Sequence, residues 1–230
     1  MTRTLERSRG LDINLQSGAQ HREYVAIADR IAADRPGALL DWGCGWGQVS
    51  ALLLERGLDV TSFDWAEGAP EAEVALEKFP NITAFRSSQP VALPYADDSF
   101  DAVLSCGVLE HVHDADASLE ELKRVLRPGG TFYVYKLPNR FSYLEAIARL
   151  LGAYYHGKLP NDEIYTVASA RARLERHGYA VREARTANIL PLTVGGEALG
   201  ASIWTANRAL SRVPLLNLLA TNVELVATAP

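Results

Sequence analysis

Apolar and polar positions along this chain alternate between two periods. "REYVAIADRIAAD" (22–34) repeats its apolar residues at helical spacing with charges opposite, which predicts a helix ending before Pro36. "GALLDW" is a short apolar run suited to a buried strand, and "WGQVSALLLERG" reads as a helix closed by Gly57. "LDVTSFDW" predicts a second strand ending in Asp64, "APEAEVALEKF" a helix before Pro80, and "NITAFRSS" a third strand. After the turn "ADDS" a fourth strand runs from about Phe100 to Cys106. "DADASLEELKRVLRPGG" has the pattern of an amphipathic helix. Asp114 or Asp116 caps its start, Lys123, Arg124 and Arg127 suit its dipole, and Pro128-Gly129-Gly130 stops it. "TFYVYKLP" is a fifth strand.

Beyond Pro138 the rhythm changes. "FSYLEAIARLLGAYY" and "TVASARARLERHGY" read as helices, and "AVREARTANILP" and "TNVELVATAP" as strands, the last free to run against the others. Strands alternating with helices argue for an α/β fold, a mostly parallel sheet with helices on both faces. We expect one domain over 1–230, with a loose polar arm to about Gln20 and helical cap insertions at 139–178 and 191–220.

Composition narrows the picture. The chain has 230 residues and a net charge of -5, so bulk attraction to nucleic acid or to an anionic membrane is not expected. Two cysteines, Cys44 and Cys106, form neither a disulfide framework nor a metal-spacing pattern, which favours a reducing, cytoplasmic setting. The first residues lack the apolar core of a signal peptide, and the most apolar stretch, near the end, is broken by Asn217, Asn222 and Glu224. A small-molecule partner is expected, without membrane insertion; the oligomeric state is not readable.

The chemistry starts at "LLDWGCGWGQVS" (39–50), three glycines after a strand and before a helix, where open α/β sheets bind ligands. The dinucleotide spacing G-x-G-x-x-G would need glycine where Gln48 stands. Asp41, just before the glycines, would repel a pyrophosphate and suits an ammonium group. Asp64, at the end of strand two, is placed to accept two hydrogen bonds from a ribose diol. The ligand should carry a ribose, a cationic amino-acid tail and no phosphate, and S-adenosylmethionine meets all three conditions. A tight strand-to-helix turn is the plainer explanation of the glycines, and the two acids argue against it.

With these residues the chain resembles the class I S-adenosylmethionine-dependent methyltransferases. "LLDWGCGWG", "VTSFDW", "LPYADDSFDAVLSCGVLEHV" and "LKRVLRPGGTFYV" follow that family's motifs in order over about Ala38 to Pro138. The likeness is to its small-molecule branch, which includes quinone and natural-product enzymes. It implies a Rossmann-like seven-stranded sheet with an antiparallel last strand. It also implies that Asp41 and the loop of Gly43, Cys44, Gly45, Gly47 and Gln48 hold the methionine part. Asp64 would then hold the ribose, with Trp65 beside the adenine. Ser88 or Gln89 would replace the family's usual acid at the adenine amino group, and Ser105 and Cys106 would line the methyl-donor pocket.

Methyl transfer needs a base only if the nucleophile keeps its proton. His111 in "VLEHV" is the first candidate, with packing against the cofactor loop as its alternative, and His156 is the second. Glu110 is a candidate substrate contact. Some quinone-pathway relatives carry a further acid three residues earlier and bind a metal; here that position is Gly107, so no comparable metal site is expected. Tyr154, Tyr155 and Tyr165 are candidate substrate contacts in a cap, or aromatic packing in a surface connection. The reading is a cytoplasmic enzyme methylating an oxygen of a small molecule. N- or C-methylation of a natural product or sugar, an NAD-dependent oxidoreductase, and a cofactor-binding partner without catalysis are its competitors.

Overall fold

The computed structural model describes residues 17–65, 84–87, 89–151, 162–193 and 196–230. In chain order the elements are α1 (Gly18–Asp34), β1 (Ala38–Trp42), α2 (Gln48–Glu55), β2 (Asp59–Trp65), β3 (Ala84–Ser87), β4 (Phe100–Cys106), α3 (Ala115–Val125), β5 (Leu126–Pro138), α4 (Tyr143–Leu150), α5 (Val167–Arg176), β6 (Ala180–Ala187), α6 (Glu197–Leu210), a 3₁₀ turn (Leu216–Leu219) and β7 (Asn222–Thr228). They divide into two compact units, Met1–Ser88 with Leu192–Ala206, and Gln89–Pro191 with Asn207–Pro230. Among the described residues no helix is long and apolar enough to cross a membrane.

In the first unit three parallel strands lie in the order β3-β2-β1, with Asp41 opposite Ser62 and Trp42 opposite Phe63. Leu39, Leu40, Leu52 and Leu53 are fully buried, so β1 and α2 carry this unit's core. Helix α1 begins earlier than its apolar pattern suggests. Ser17 is its N-cap, accepting from the Gln20 amide, and the Ser17 hydroxyl also donates to the Leu192 carbonyl. Ser17 to Gln20 are therefore part of the packed helix rather than of a loose arm; residues 1–16 lie outside the described set. A short hydroxyl cap and a residue without a Cβ permit this. A Cβ on Gly18 would lie 2.8 Å from Glu197 Cα, and one on Gly200 would lie 2.5 Å from the Gly18 carbonyl carbon. The two backbones thus touch where α1 begins.

The second unit has four strands in the order β4-β5-β7-β6. β4 and β5 are parallel, and β7 runs antiparallel to both its neighbours, as the family likeness implied for the last strand. The sheet interior is apolar: Val103, Leu104, Phe132, Val134 and Val223 are fully buried. Asp114 caps α3 by accepting from the Ala117 amide, Asp116 sits in the first turn, and Lys123 and Arg124 sit in the last. The helix stops at Val125, ahead of the Pro-Gly-Gly sequence, which lies inside β5. Leu126 is already extended, and Arg127 precedes a proline, which disfavours helical backbone. Helix α5, with the Thr166–Ser169 capping box, packs on β6 and β7 through the buried Ala170 and Leu174. This part of the expected 139–178 cap is therefore a helix that covers the sheet, because its apolar stripe matches the sheet face.

The glycine contact makes a direct prediction. Gly200→Ala forces α1 and α6 apart and lowers stability by about 1–3 kcal/mol, read from the urea unfolding midpoint.

Candidate active site

The first unit presents the loop from Gly43 to Gly47, between β1 and α2. Its three glycines have φ of +75°, +50° and +73°, a region L side chains rarely adopt, and this explains their spacing. The loop amides are engaged within the protein. Gly43 and Cys44 both donate to the Phe63 carbonyl, at 2.8 and 2.9 Å, and Gly47 donates to Cys44. Gly45 donates to Asp64 Oδ2 at 2.7 Å, and Asp64 Oδ1 accepts from the Trp65 amide at 2.8 Å. A phosphate-binding loop needs converging unengaged amides; this loop instead places a carboxylate at its rim. No atom lies within 4 Å of where a Gly45 Cβ would be, so that side of the loop is open.

Asp41 lies beneath, fully buried. Ser50 donates to its Oδ2 at 2.5 Å, and Ser62 donates to the Ser50 hydroxyl at 2.8 Å. Burial pushes the Asp41 carboxyl up to about 6, Asp64 adds to the rise, and Ser50 opposes it. A buried acid of that kind gains from a nearby cation. Cys44 is buried, the buried Oε1 of Gln48 has no hydrogen-bond partner among the described residues, and Trp65 is 42% exposed at the end of β2. Gln89 is exposed, and Ser88 lies outside the described residues. The donor set (a deep acid, a rim acid and an open glycine) fits a ligand with an ammonium and a diol.

The second unit contributes the end of β4. Ser105 is fully buried with its hydroxyl unpartnered among the described residues, and Cys106 is half-buried. Gly107 turns the chain at φ +73° and donates to the Tyr135 carbonyl. Glu110 and His111 follow. His111 Nδ1 lies 2.7 Å from Asp162 Oδ1, and its Nε2 lies 3.7 Å from Glu110 Oε1, too long for a hydrogen bond but close enough for charge coupling. Glu110 is buried, and its Oε2 has no hydrogen-bond partner among the described residues. Burial pushes its carboxyl up to about 7, with His111 and then Lys136 opposing. The Glu163 amide donates to the Glu110 carbonyl, tying the Asp162 segment to the turn. A Cβ at position 107 would stand 3.7 Å from Glu110 Oε1, so the glycine is what leaves that carboxylate without a side chain facing it from there.

Asp162 and Lys136 do not stand out in the sequence. Asp162 sits in the acidic run "NDE" 51 residues beyond His111, and spacing does not show the contact. Lys136 holds a φ of +67° at a register shift in β5; a lone cation in "TFYVYKLP" was its only signal. Tyr165, read from the sequence as a substrate contact or as aromatic packing, is packed inside. It is 3% exposed, and its backbone N–H and carbonyl bond Pro138 and Arg140. Its hydroxyl accepts from Arg173 at 3.0 Å, so it packs beside the end of β5. Tyr154, Tyr155 and His156 lie outside the described residues.

Residues 40–134 match the family described as a methyltransferase domain. A sterol 4-C-methyltransferase of Caenorhabditis elegans is 33% identical over 125 residues, 52% of this chain and 37% of that protein. A ubiquinone biosynthesis O-methyltransferase of Ruegeria pomeroyi is 36% identical over 114 residues, 47% of this chain and 46% of that one. The matches thus span less than half of either relative. The crystal structure of Burkholderia thailandensis 1,6-didemethyltoxoflavin-N1-methyltransferase, with bound 1,6-didemethyltoxoflavin and S-adenosylhomocysteine, shares the fold. Its TM-score is 0.59 at 19% identity, over 98% of this chain and 87% of that one. Residues 40–134 thus resemble a methyltransferase domain, and the fold is shared with a solved methyltransferase that binds S-adenosylhomocysteine.

The buried Glu110 gives a pH signature. Its folded-state value lies above the ordinary 4.5, so the folded protein keeps a proton that the unfolded chain has released. Stability therefore falls as pH rises from about 4.5 to about 7. Glu110→Gln removes that slope and is the more stable protein at pH 8, by up to about 3 kcal/mol, in urea unfolding at pH 5 and pH 8.

Proposed function

We propose that this protein methylates a hydroxyl or phenol of a small molecule, with S-adenosylmethionine as donor. The observation that carries the oxygen acceptor is the contact between His111 Nδ1 and Asp162 Oδ1. An ionised Asp162 accepts from Nδ1–H, so Nε2 is the ring nitrogen left to take a proton. His111 then removes the acceptor's hydroxyl proton and Asp162 steadies the resulting imidazolium, while Glu110 is the buried group that senses that charge. Support for the cofactor comes from the first unit. Asp64 is assigned to the ribose, Asp41 and the Gly43–Gly47 loop to the methionine part, and Trp65 to the adenine. The assignments of Ser88, Gln89, Ser105 and Cys106 rest on the motif resemblance, as does a single seven-stranded sheet. When bound, the cofactor supplies a methyl group already activated by its sulfonium; the protein's part is orientation and exclusion of water.

Transfer to carbon or nitrogen is the second reading. The names of the sterol 4-C- and toxoflavin N1-methyltransferases favour it, since relatives of one fold act at all three atoms. A labelled methyl donor incubated with a metabolite extract, followed by mass spectrometry of the products, separates the readings by which atom gains the label. Absence of any methylated product would leave a cofactor-binding protein.

Asp162→Asn is expected to cut kcat by about 10²–10⁴-fold on a hydroxyl acceptor and to move the acidic limb of its pH profile to lower pH, with S-adenosylhomocysteine affinity unchanged. Asp64→Ala is expected to weaken S-adenosylhomocysteine binding by about 10–100-fold in calorimetry, the loss of a charged hydrogen-bond acceptor. That affinity also falls as pH drops below about 6, because the ammonium favours ionised Asp41; Asp41→Asn abolishes the dependence.

A further inference from the structure

Helix α4 is turned inside out. Its one buried residue is Glu145, while Ile147 and Leu150 face solvent. Leu150 is 86% exposed and the next residue, Leu151, is 76% exposed; Phe141, just before the helix, is 58% exposed. A second stretch of the same unit does likewise, with Val213, Leu215, Leu218 and Leu219 all exposed ahead of β7. Leu215 is 77% exposed and holds a φ of +72°, so a backbone conformation that a leucine avoids presents its side chain outward.

The two stretches share a root. Asn139 Nδ2 donates to the carbonyls of Leu218 and Ala220, at 2.9 and 2.7 Å, and Asn139 Oδ1 accepts from the Phe141 amide. Their charge sets them apart from the rest of the chain. Arg140, Arg149, Arg208 and Arg212 lie on them. The sole acid in 139–151 is Glu145, bonded to Arg149, and none occurs in 207–221. This is a basic, apolar face on a protein of net charge -5.

We propose that this face docks on the surface of an anionic lipid bilayer. The leucines and Phe141 enter the boundary between headgroups and acyl chains, and the arginines meet the lipid phosphates. The charge selects this occupant. A second copy joined through the same face would set arginine against arginine, and a nucleic acid would have no use for exposed leucines. Attachment is peripheral, since no described helix is long and apolar enough to cross the bilayer.

The test is co-sedimentation of the full chain with vesicles of mixed phosphatidylglycerol and phosphatidylcholine, and with phosphatidylcholine alone. Binding to the anionic vesicles is expected to be at least about tenfold the stronger and to weaken with salt. A Leu150→Ser/Leu151→Ser variant is expected to lose about tenfold or more of that binding, and Arg140→Gln/Arg212→Gln to lose its salt dependence. All these side chains are exposed, and thermal midpoints like the parent's check that the variants fold. No sedimentation with anionic vesicles at low salt, or binding that ignores the leucine changes, overturns the proposal. A dimer in light scattering that the leucine variant splits assigns the face to a second copy and overturns it too.

Discussion

Two backbone amides, those of Gly43 and Cys44, meet on one carbonyl, that of Phe63. That convergence extends the β1–β2 pairing past the last strand pair, Trp42 opposite Phe63, and into the loop. It requires a turn that only glycines adopt easily, and it brings Gly45 against the carboxylate of Asp64. The same constraint decides what the loop can hold. With the amides of Gly43, Cys44 and Gly45 turned toward β2, the loop presents acids and open space, which suits a cation and a diol better than a phosphate.

Each unit keeps one acid in an unfavourable place. Asp41 lies under the loop, with its carboxyl near 6, and Glu110 lies after β4, with its carboxyl near 7; burial is the main cause in both. Neither has a full cationic partner among the described residues. Ser50 only softens the cost for Asp41, and His111 stands 3.7 Å from Glu110 without a hydrogen bond. Unrelieved burial of titratable groups is a mark of functional positions more than of structural ones. It also means that the folded protein carries strain which a bound cation or a proton relieves.

Much of this was legible in the sequence. The strands and helices follow from apolar period, and the antiparallel last strand follows from the family likeness. The glycine spacing and Asp64 are what single out the loop after β1 and the end of β2 as the proposed cofactor site. Residues that act through distant contacts were not legible. Asp162 reaches His111 across 51 positions, and only the fold brings them together. Tyr165 was open to two readings, a cap contact or aromatic packing, and the bridge to Asn139 that draws it inside is not visible in the sequence. The start of α1 was missed because "SGAQ" lacks apolar periodicity, and its burial comes from a glycine-to-glycine approach that no helical period records. "FSYLEAIARLLGAYY" reads as a helix, and only the structure shows that its leucines face outward.

The Phe63 carbonyl belongs to the main chain, and no side-chain substitution removes it. Replacing Asp64 would release one amide, that of Gly45, and leave the other two where they are. In the proposed cofactor loop the orientation of these amides therefore follows from strand register. An evolutionary route from this site to a nucleotide-phosphate site would have to pass through an insertion or deletion at the β1–β2 edge, and a designer who wished to retarget the loop would have to start there.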